Sequence, residues 1–275
     1  MFKLALVQMT VEGGELDRNL ERASQRVREA TANGSNVVLL PECMDLGWTY
    51  PSALTLAEPI PGGKTFEILC ELAQEYGVYL CAGLVERAGE RTYNSAVLLS
   101  PKGELLLLHR KLNELDIGHP YYAQGDRLGV CETEYGTFGL MICADAFAKD
   151  SVITRSLGYM GADVILSPSS WAVRPDHDNA KEPYGGSWDT TYAPVCKEFS
   201  LWIASVSNVG RLTAGPWKDW NCIGCSRAVS PTGETALIGE YGEAADAILY
   251  LDIEPTPRPA RGCSWYQHWR DAETL

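Results

Sequence analysis

No stretch of this sequence stays apolar for long. The most continuous, Gly77 to Val85, falls far short of the roughly 20 residues that cross a bilayer. The opening segment turns polar after about six apolar residues, too few for the core of a secretory signal. Positive charge is short as well: 23 Lys and Arg stand against 36 Asp and Glu, a net charge of −13. Such a surface repels phosphate backbones and anionic lipid, so neither nucleic acid nor membrane is expected as a partner. Histidine is scarce, and His109, His119, His177 and His268 lie too far apart to suggest a zinc site. Neither HExxH nor GxSxG occurs. No metal site is expected.

The cysteines number nine, an odd count with no regular framework. A secreted disulfide scaffold would be shorter and would pair its thiols; reduced cysteines in the cytoplasm fit better. Asn33-Gly34-Ser35 matches a glycosylation sequon, which matters only in a secreted protein. The expectation is a cytoplasmic protein.

At 275 residues, with 45% hydrophobic and 21% charged side chains, the chain has the composition of a folded enzyme with a sizeable core. Lys3 to Gln8 reads as a first strand. Leu16, Leu20, Ala23, Val27 and Ala30 then recur at helical spacing, with Gly34 placed to end the helix. Val37 to Leu40 is an apolar strand, and Phe66, Leu69, Leu72, Ala73 and Tyr76 form a second helical stripe closed by Gly77. Val78 to Val85 follows as a buried strand. This alternation marks a layered α/β fold. Beyond it, Pro101-Lys102-Gly103, Glu134-Tyr135-Gly136 and Pro231-Thr232-Gly233 each join two strands. Helices are expected over Ile153 to Met160 and Tyr192 to Phe199, and strands over Val164 to Leu166, Leu201 to Ser207 and Ile248 to Ile253. Hairpins mixed with crossovers require mixed sheets. Without a linker or an internal repeat, residues 1–254 read as one domain. Residues 255–275, with Trp265, Tyr266 and Trp269, read as a tail that packs on the body or on a neighbouring subunit.

Two motifs fail on their physics. Gly62-Gly63-Lys64-Thr65 resembles the end of a phosphate loop, but Glu58 holds the place of the first glycine and would face the phosphates. A turn into a helix is expected instead. Cys222 and Cys225 form a CxxC in a segment read as a strand, where residues three apart point to opposite faces and cannot share a metal.

Three other segments share a layout: an apolar run that ends in a reactive group. Val37 to Pro41 leads to Glu42, Leu105 to Leu108 leads through His109-Arg110 to Lys111, and Gly139 to Ile142 leads to Cys143. Ligand sites in layered α/β folds gather at the carboxyl ends of strands. Each residue alone also fits a structural role, as a buried thiol or a surface charge. If the three strands are neighbours, carboxylate, ammonium and thiol converge.

These segments, with Ala5-Leu6-Val7-Gln8, Gly161-Ala162-Asp163-Val164-Ile165, Ser207-Asn208, Gly224-Cys225-Ser226 and Ser230-Pro231-Thr232-Gly233, resemble the nitrilase superfamily of carbon–nitrogen hydrolases across most of the chain. The resemblance implies a four-layer α-β-β-α sandwich with two mixed sheets, assembled as a homodimer or higher homo-oligomer. It implies a catalytic triad of Glu42, Lys111 and Cys143 and no cofactor. Glu42 would act as general base, Cys143 as nucleophile, and Lys111 as the cation that favours the thiolate and the oxyanion. Losing one oxyanion donor typically costs about 3–4 kcal/mol of transition-state stabilisation.

The chain departs from the family pattern in two places. Ala144 stands where many members carry an aromatic residue. Many members also have a second glutamate after the lysine, at a spacing that here falls near Gly118 or His119; Glu114 is the nearest candidate for that auxiliary role and Asp116 the next. For substrate binding, the stretch after Ser169-Ser170 offers Trp171, His177, Tyr184 and Trp188, with Arg174 beside them; packing of a lid or of a subunit contact would use the same residues. Cys43 reads as a packing residue. The expected reaction is hydrolysis of a small linear amide or N-carbamoyl compound through a Cys143 thioester, releasing ammonia. Asp145 leans toward amides, since nitrile-cleaving members often carry Glu there. Nitrile hydrolysis and acyl transfer are the rivals with the same triad, and a non-catalytic binding or assembly module is the rival of another kind.

Overall fold

The computed structural model describes residues 1–260 together with Gly262, Trp269 and Arg270. In chain order the elements are β1 (Phe2–Gln8), α1 (Leu16–Ala32), β2 (Val37–Leu39), α2 (Ala53–Leu56), α3 (Lys64–Tyr76), β3 (Tyr79–Ala88), β4 (Arg91–Leu99) and β5 (Leu105–Arg110). Then come β6 (Val130–Thr133), β7 (Gly136–Leu140), α4 (Val152–Met160), β8 (Val164–Ser169), β9 (Ala172–Val173), α5 (Gly186–Phe199) and β10 (Trp202–Ser207). The last are β11 (Val209–Arg211), β12 (Asn221–Ile223), β13 (Arg227–Val229), β14 (Thr235–Ile238) and β15 (Ala247–Ile253).

The order of layers follows from strands that are apolar on both faces. Along β1, Leu4 and Leu6 enter one core while Ala5 and Val7 enter another. Val37 and Leu39 part from Val38 in the same way, as do Ala96 and Leu98 from Val97 and Leu99. Side chains alternate across a strand, so such a sheet must be covered twice. One cover is α1 and α3, which supply Leu20, Ala23, Val27, Phe66 and Leu69 to the outer core. The other is the second sheet, whose Phe138, Leu140, Val164 and Leu166 share the central core. On its far side that sheet carries α4 and α5, with Leu157, Tyr192, Val195 and Phe199 buried. Gly158 lets the two helices meet, since a Cβ there would lie 2.6 Å from the Phe199 ring. This is the expected α-β-β-α arrangement.

The sheet orders are β15-β1-β2-β3-β4-β5 and β14-β13-β10-β8-β7-β6. Both are mixed: β1, β2 and β3 are parallel to one another, as are β7, β8 and β10, with antiparallel strands on either side. A third, small sheet, β11-β12-β9, was not expected from the sequence. It corrects the reading of the CxxC: only Cys222 lies in a strand, while Cys225 lies between β12 and β13 with a φ of 58°. Cys222 sits 3.6 Å from Ser170 Oγ and Cys225 3.6 Å from the Tyr184 carbonyl oxygen, so the two thiols serve different neighbours. Helix α5 also begins six residues before the expected Tyr192, which takes Trp188 into the helix.

At the phosphate-loop look-alike, the chain turns into α3 as expected. Glu58 accepts the Thr65 N–H at 2.8 Å, so its carboxylate fills the place a phosphate would take. After β15, Arg258 pairs with Asp163 at 3.1 Å and Thr256 donates to the Ser200 carbonyl, which ties the start of the tail to the second sheet. Trp265 and Tyr266 lie outside the described residues. Among those described, no helix is long and apolar enough to cross a membrane.

Candidate active site

Three strand ends deliver the three reactive side chains to one place. After β2, Leu40-Pro41 brings Glu42 to the junction of the sheets, where its N–H donates to the Ser169 carbonyl at 3.2 Å. Gly83 of β3 makes room, since a Cβ there would lie 2.6 Å from Glu42 Cα. Lys111 follows β5, its N–H bonded to the Asn94 carbonyl of β4 at 2.8 Å. After β7, Cys143 opens a short 3-10 turn (Cys143–Phe147) in the left-handed region, at a φ of 44°. Few side chains with a Cβ adopt that conformation, and it recurs where a turn presents a functional group. Glu42, Lys111 and Cys143 all line one cavity of about 100 Å³.

Lys111 Nζ donates to Glu42 Oε1 at 2.8 Å and to Glu114 Oε1 at 3.0 Å. Glu114 is thus the second acid beside the lysine, whereas Asp116 is fully exposed and faces His119. Burial pushes the Glu42 carboxyl above the usual carboxylate range; Glu114 adds to the rise, and Lys111 and Asn94 pull it back. Two carboxylates around one ammonium leave an excess negative charge, which favours proton uptake at this spot. For Lys111, burial opposes the charge, but Glu42 and then Glu114 outweigh it and hold the ammonium well above an ordinary lysine. Burial, then the Glu42 charge, push the Cys143 thiol far up, against Lys111 and the Ser170 N–H. At rest, therefore, a neutral thiol lies beside a carboxylate able to accept its proton.

Asn94, which the sequence reading passed over, and Asp145, which it weighed only as a cue to the substrate, hold this cluster in place. Asn94, in the middle of β4, gives Nδ2 to Glu42 Oε1 at 2.7 Å and to Glu114 Oε2 at 3.0 Å. Its own Oδ1 faces the Cys43 thiol at 3.5 Å, so Cys43 orients the amide as well as packing. The sequence hid it, because Asn94 lies between Thr92 and Ser95 in the polar half of β4; the structure buries that half, where an amide calls for partners. Asp145 joins the other two segments. Its Oδ1 accepts the N–H groups of Leu112 and Asn113, and its Oδ2 accepts the Ile142 N–H and His109 Nε2, at 2.7 to 3.0 Å. Burial alone would raise the Asp145 carboxyl, but His109 and the Ile142 N–H outweigh it and keep it low. The Cys143 turn is thereby clamped to the loop that carries Lys111 and Glu114.

The cavity walls are aromatic. Trp171, Tyr184 and Trp188 stand there as the sequence suggested, joined by Trp48, Phe147 and Trp217, which it did not. His177 and Arg174 do not line the cavity. They share a separate charged hollow at the surface with Asp176 and Asp178. Pairing of β9 with β12 carries the chain away just before them, and the His177 ring rests against Tyr241. A larger open hollow of about 500 Å³ beside Arg211, Asp219 and Glu243 offers no nucleophile. Among the described residues no His, Cys, Asp and Glu cluster is arranged to hold a metal ion.

The family described as carbon-nitrogen hydrolase matches residues 3–258. A protein named nitrilase from Pyrococcus abyssi is 35% identical over 258 residues, covering 92% of this chain and 90% of its own. Omega-amidase NIT2-A of Xenopus laevis is also 35% identical, over 266 residues and 92% and 88% of the two chains. Among solved structures, a carbon-nitrogen hydrolase from Helicobacter pylori G27 superposes with a TM-score of 0.79 at 22% identity, covering 90% of this chain and 87% of that one. An amidase from Nesterenkonia sp. gives 0.76 at 18% identity, covering 92% and 90%. These two likenesses speak for the fold.

Proposed function

Because the chain belongs to the carbon-nitrogen hydrolase family, we propose that it hydrolyses a small linear amide through a thioester on Cys143. The observation that carries this reading is the cavity in which the Cys143 thiol, the Glu42 carboxylate and the Lys111 ammonium meet, with Lys111 held between two carboxylates. As the sulfur attacks the amide carbon, Glu42 takes the thiol proton, which its raised affinity favours. Charge moves onto the amide oxygen, where Lys111 and a backbone N–H of the Cys143 turn stabilise it. Collapse of the tetrahedral adduct breaks the carbon–nitrogen bond, and ammonia leaves with the proton from Glu42. Water then gives a proton to Glu42 and attacks the thioester; the acid departs as the sulfur regains that proton. Lys111 stays charged throughout, and Glu114 keeps it in position.

The test is ammonia release from a panel of small amides, N-carbamoyl compounds and nitriles, with Cys143→Ala run beside the native enzyme. Release from amides that disappears in the variant supports the reading. Release from nitriles alone would favour the activity named for the Pyrococcus relative. Hydroxylamine in the same assay distinguishes acyl transfer from hydrolysis. Release that persists in Cys143→Ala would overturn the site, and no release from any compound would favour a binding module.

A further inference from the structure

The segment after Glu42 is held at two points by one side chain. Cys43 and Thr49 both lie in the left-handed region, at φ of 45° and 56°, which a residue with a Cβ seldom adopts unless its surroundings impose it. The Tyr122 hydroxyl reaches both: it accepts the Thr49 N–H at 2.9 Å and lies 3.8 Å from the Cys43 sulfur. Tyr122 arrives on the loop beyond Lys111, which returns to β4 where the Ala123 N–H donates to the Thr92 carbonyl at 2.8 Å. Tyr122, Cys43 and Asn94 are at most 2% exposed, so their polar atoms need partners within the protein.

One assignment of hydrogens gives every donor an acceptor. Asn94 Nδ2 directs its two hydrogens to Glu42 and Glu114. Its Oδ1 therefore needs a donor, and the Cys43 thiol at 3.5 Å is that donor. The sulfur in turn accepts the Tyr122 O–H, whose oxygen already holds the Thr49 N–H. Burial pushes the Cys43 thiol and the Tyr122 phenol well above their usual values, so both keep their hydrogens. The chain runs one way, from Thr49 through Tyr122, Cys43 and Asn94 to the two carboxylates around Lys111.

We infer that Tyr122 is a positioning residue for Glu42: it acts through the Cys43 thiol to hold the Asn94 amide with its N–H groups toward Glu42 and Glu114. This rests on the reading of Glu42 as the group that takes the Cys143 proton. Tyr122 does not line the cavity, and its polar link to Glu42 is this chain.

Two pH profiles test it. One is kcat/KM for ammonia release from small amides; the other is the rate at which iodoacetamide alkylates Cys143, read on its peptide by mass spectrometry, which needs no substrate. Both should fall at low pH as Glu42 takes up a proton. The other titratable groups whose charges act on Glu42 or feel it are Lys111, Glu114, Cys143, Cys43 and Cys222. Lys111 and the three thiols stay protonated across the acid range, which leaves the coupled Glu42 and Glu114 carboxyls to set the limb. In Tyr122→Phe the limb should move up by about 0.4 to 1 pH unit, the scale of one neutral hydrogen bond. Cys43→Ala should move it as far, and Cys43→Ser, which keeps a donor and an acceptor, should restore the native limb. The double variant Cys43→Ala, Tyr122→Phe should match Cys43→Ala alone, because Tyr122 acts through the thiol. Urea midpoints confirm that each variant is folded, and a loss of stability alone moves no limb. A limb unmoved in Tyr122→Phe, equal shifts in Cys43→Ser and Cys43→Ala, or additive shifts in the double variant would overturn the inference and leave the reading of Cys143 standing. No ammonia from any amide would overturn the amidase reading alone, and the alkylation profiles would still decide the inference.

Discussion

Counted from β15, neighbouring strands of the first sheet pair antiparallel, parallel, parallel, antiparallel and antiparallel; counted from β6, the second sheet does the same. Helices α1 and α3 cross over in one half where α4 and α5 cross over in the other. The ladder pairs Leu4–Val37 and Phe138–Val164 align the halves. In that register Met9 corresponds to Cys143 and Glu42 to Ser169, each five residues beyond its reference. The two scaffolds agree and the chemistry does not. One half contributes the carboxylate and a buried thioether; the other contributes the thiol and a hydroxyl bonded to Ser205 at 2.9 Å. Glu42 and Ser169 touch, N–H to carbonyl, where the halves meet. A repeated frame thus brings two unlike strand ends to one point, and the proposed reaction would take its base from one half and its nucleophile from the other.

The correspondence can be broken by substitution at matched positions. Glu42→Gln keeps the shape and removes the base, and should lower kcat/KM by about 10³-fold. Ser169→Ala, its counterpart, should cost less than about 10-fold, the scale of one neutral hydrogen bond. Steady-state kinetics on both variants checks the pair, and equal losses would mean that the halves share the work. Asn94→Ala should lower kcat by about 10- to 100-fold, since it loosens both carboxylates without removing either. The Asn94 hydrogen bond lowers the Glu42 pKa, so its loss should move the acid limb of the kcat/KM profile to higher pH; a pH profile with an unmoved limb would deny Asn94 that role.

Met9→Ala probes the position that matches Cys143 in the other half. Met9 is fully buried, so its loss should cost about 2–5 kcal/mol of stability in urea unfolding. The kcat of the folded variant should change by less than about 2-fold, because Met9 lies in the outer core and reaches no reacting atom.

The smallest effect concerns the turn after Glu42. Burial pushes the Asp45 carboxyl up to about 7, against hydrogen bonds from the Val85 and Leu46 N–H groups. The folded state therefore holds this proton more tightly than the unfolded chain. Its stabilising contribution is full below the ordinary aspartate range, near pH 4, and is lost as pH rises through about 7. Asp45→Asn mimics the protonated form, so it should be more stable than the native protein at pH 8 by about 1–3 kcal/mol and nearly equal at pH 4. Urea midpoints at the two pH values check this; a larger gain at the acid end would reverse the sign and refute it.

Much of the frame was legible because its strands are apolar on both faces and its helices keep a 3.6-residue stripe. The meeting of Glu42, Lys111 and Cys143 was legible because each follows the end of an apolar strand. The repeat was hidden, since matched positions hold unlike residues, Met9 against Cys143 and Glu42 against Ser169. The third sheet was hidden because β9, β11 and β12 are two or three residues long, too short to show a period. His177 was misplaced for the same reason, as it follows β9. Trp48, Phe147 and Trp217 come from turns far apart in the chain, and only the folded core brings them to one cavity.

Mass spectrometry of the enzyme quenched in acid during turnover tests the central claim most directly. A thioester intermediate predicts an adduct with the mass of the acyl group on the peptide that contains Cys143, absent without substrate and discharged by hydroxylamine. Turnover that continues with no adduct there, or with the acyl group on another cysteine, would contradict the account.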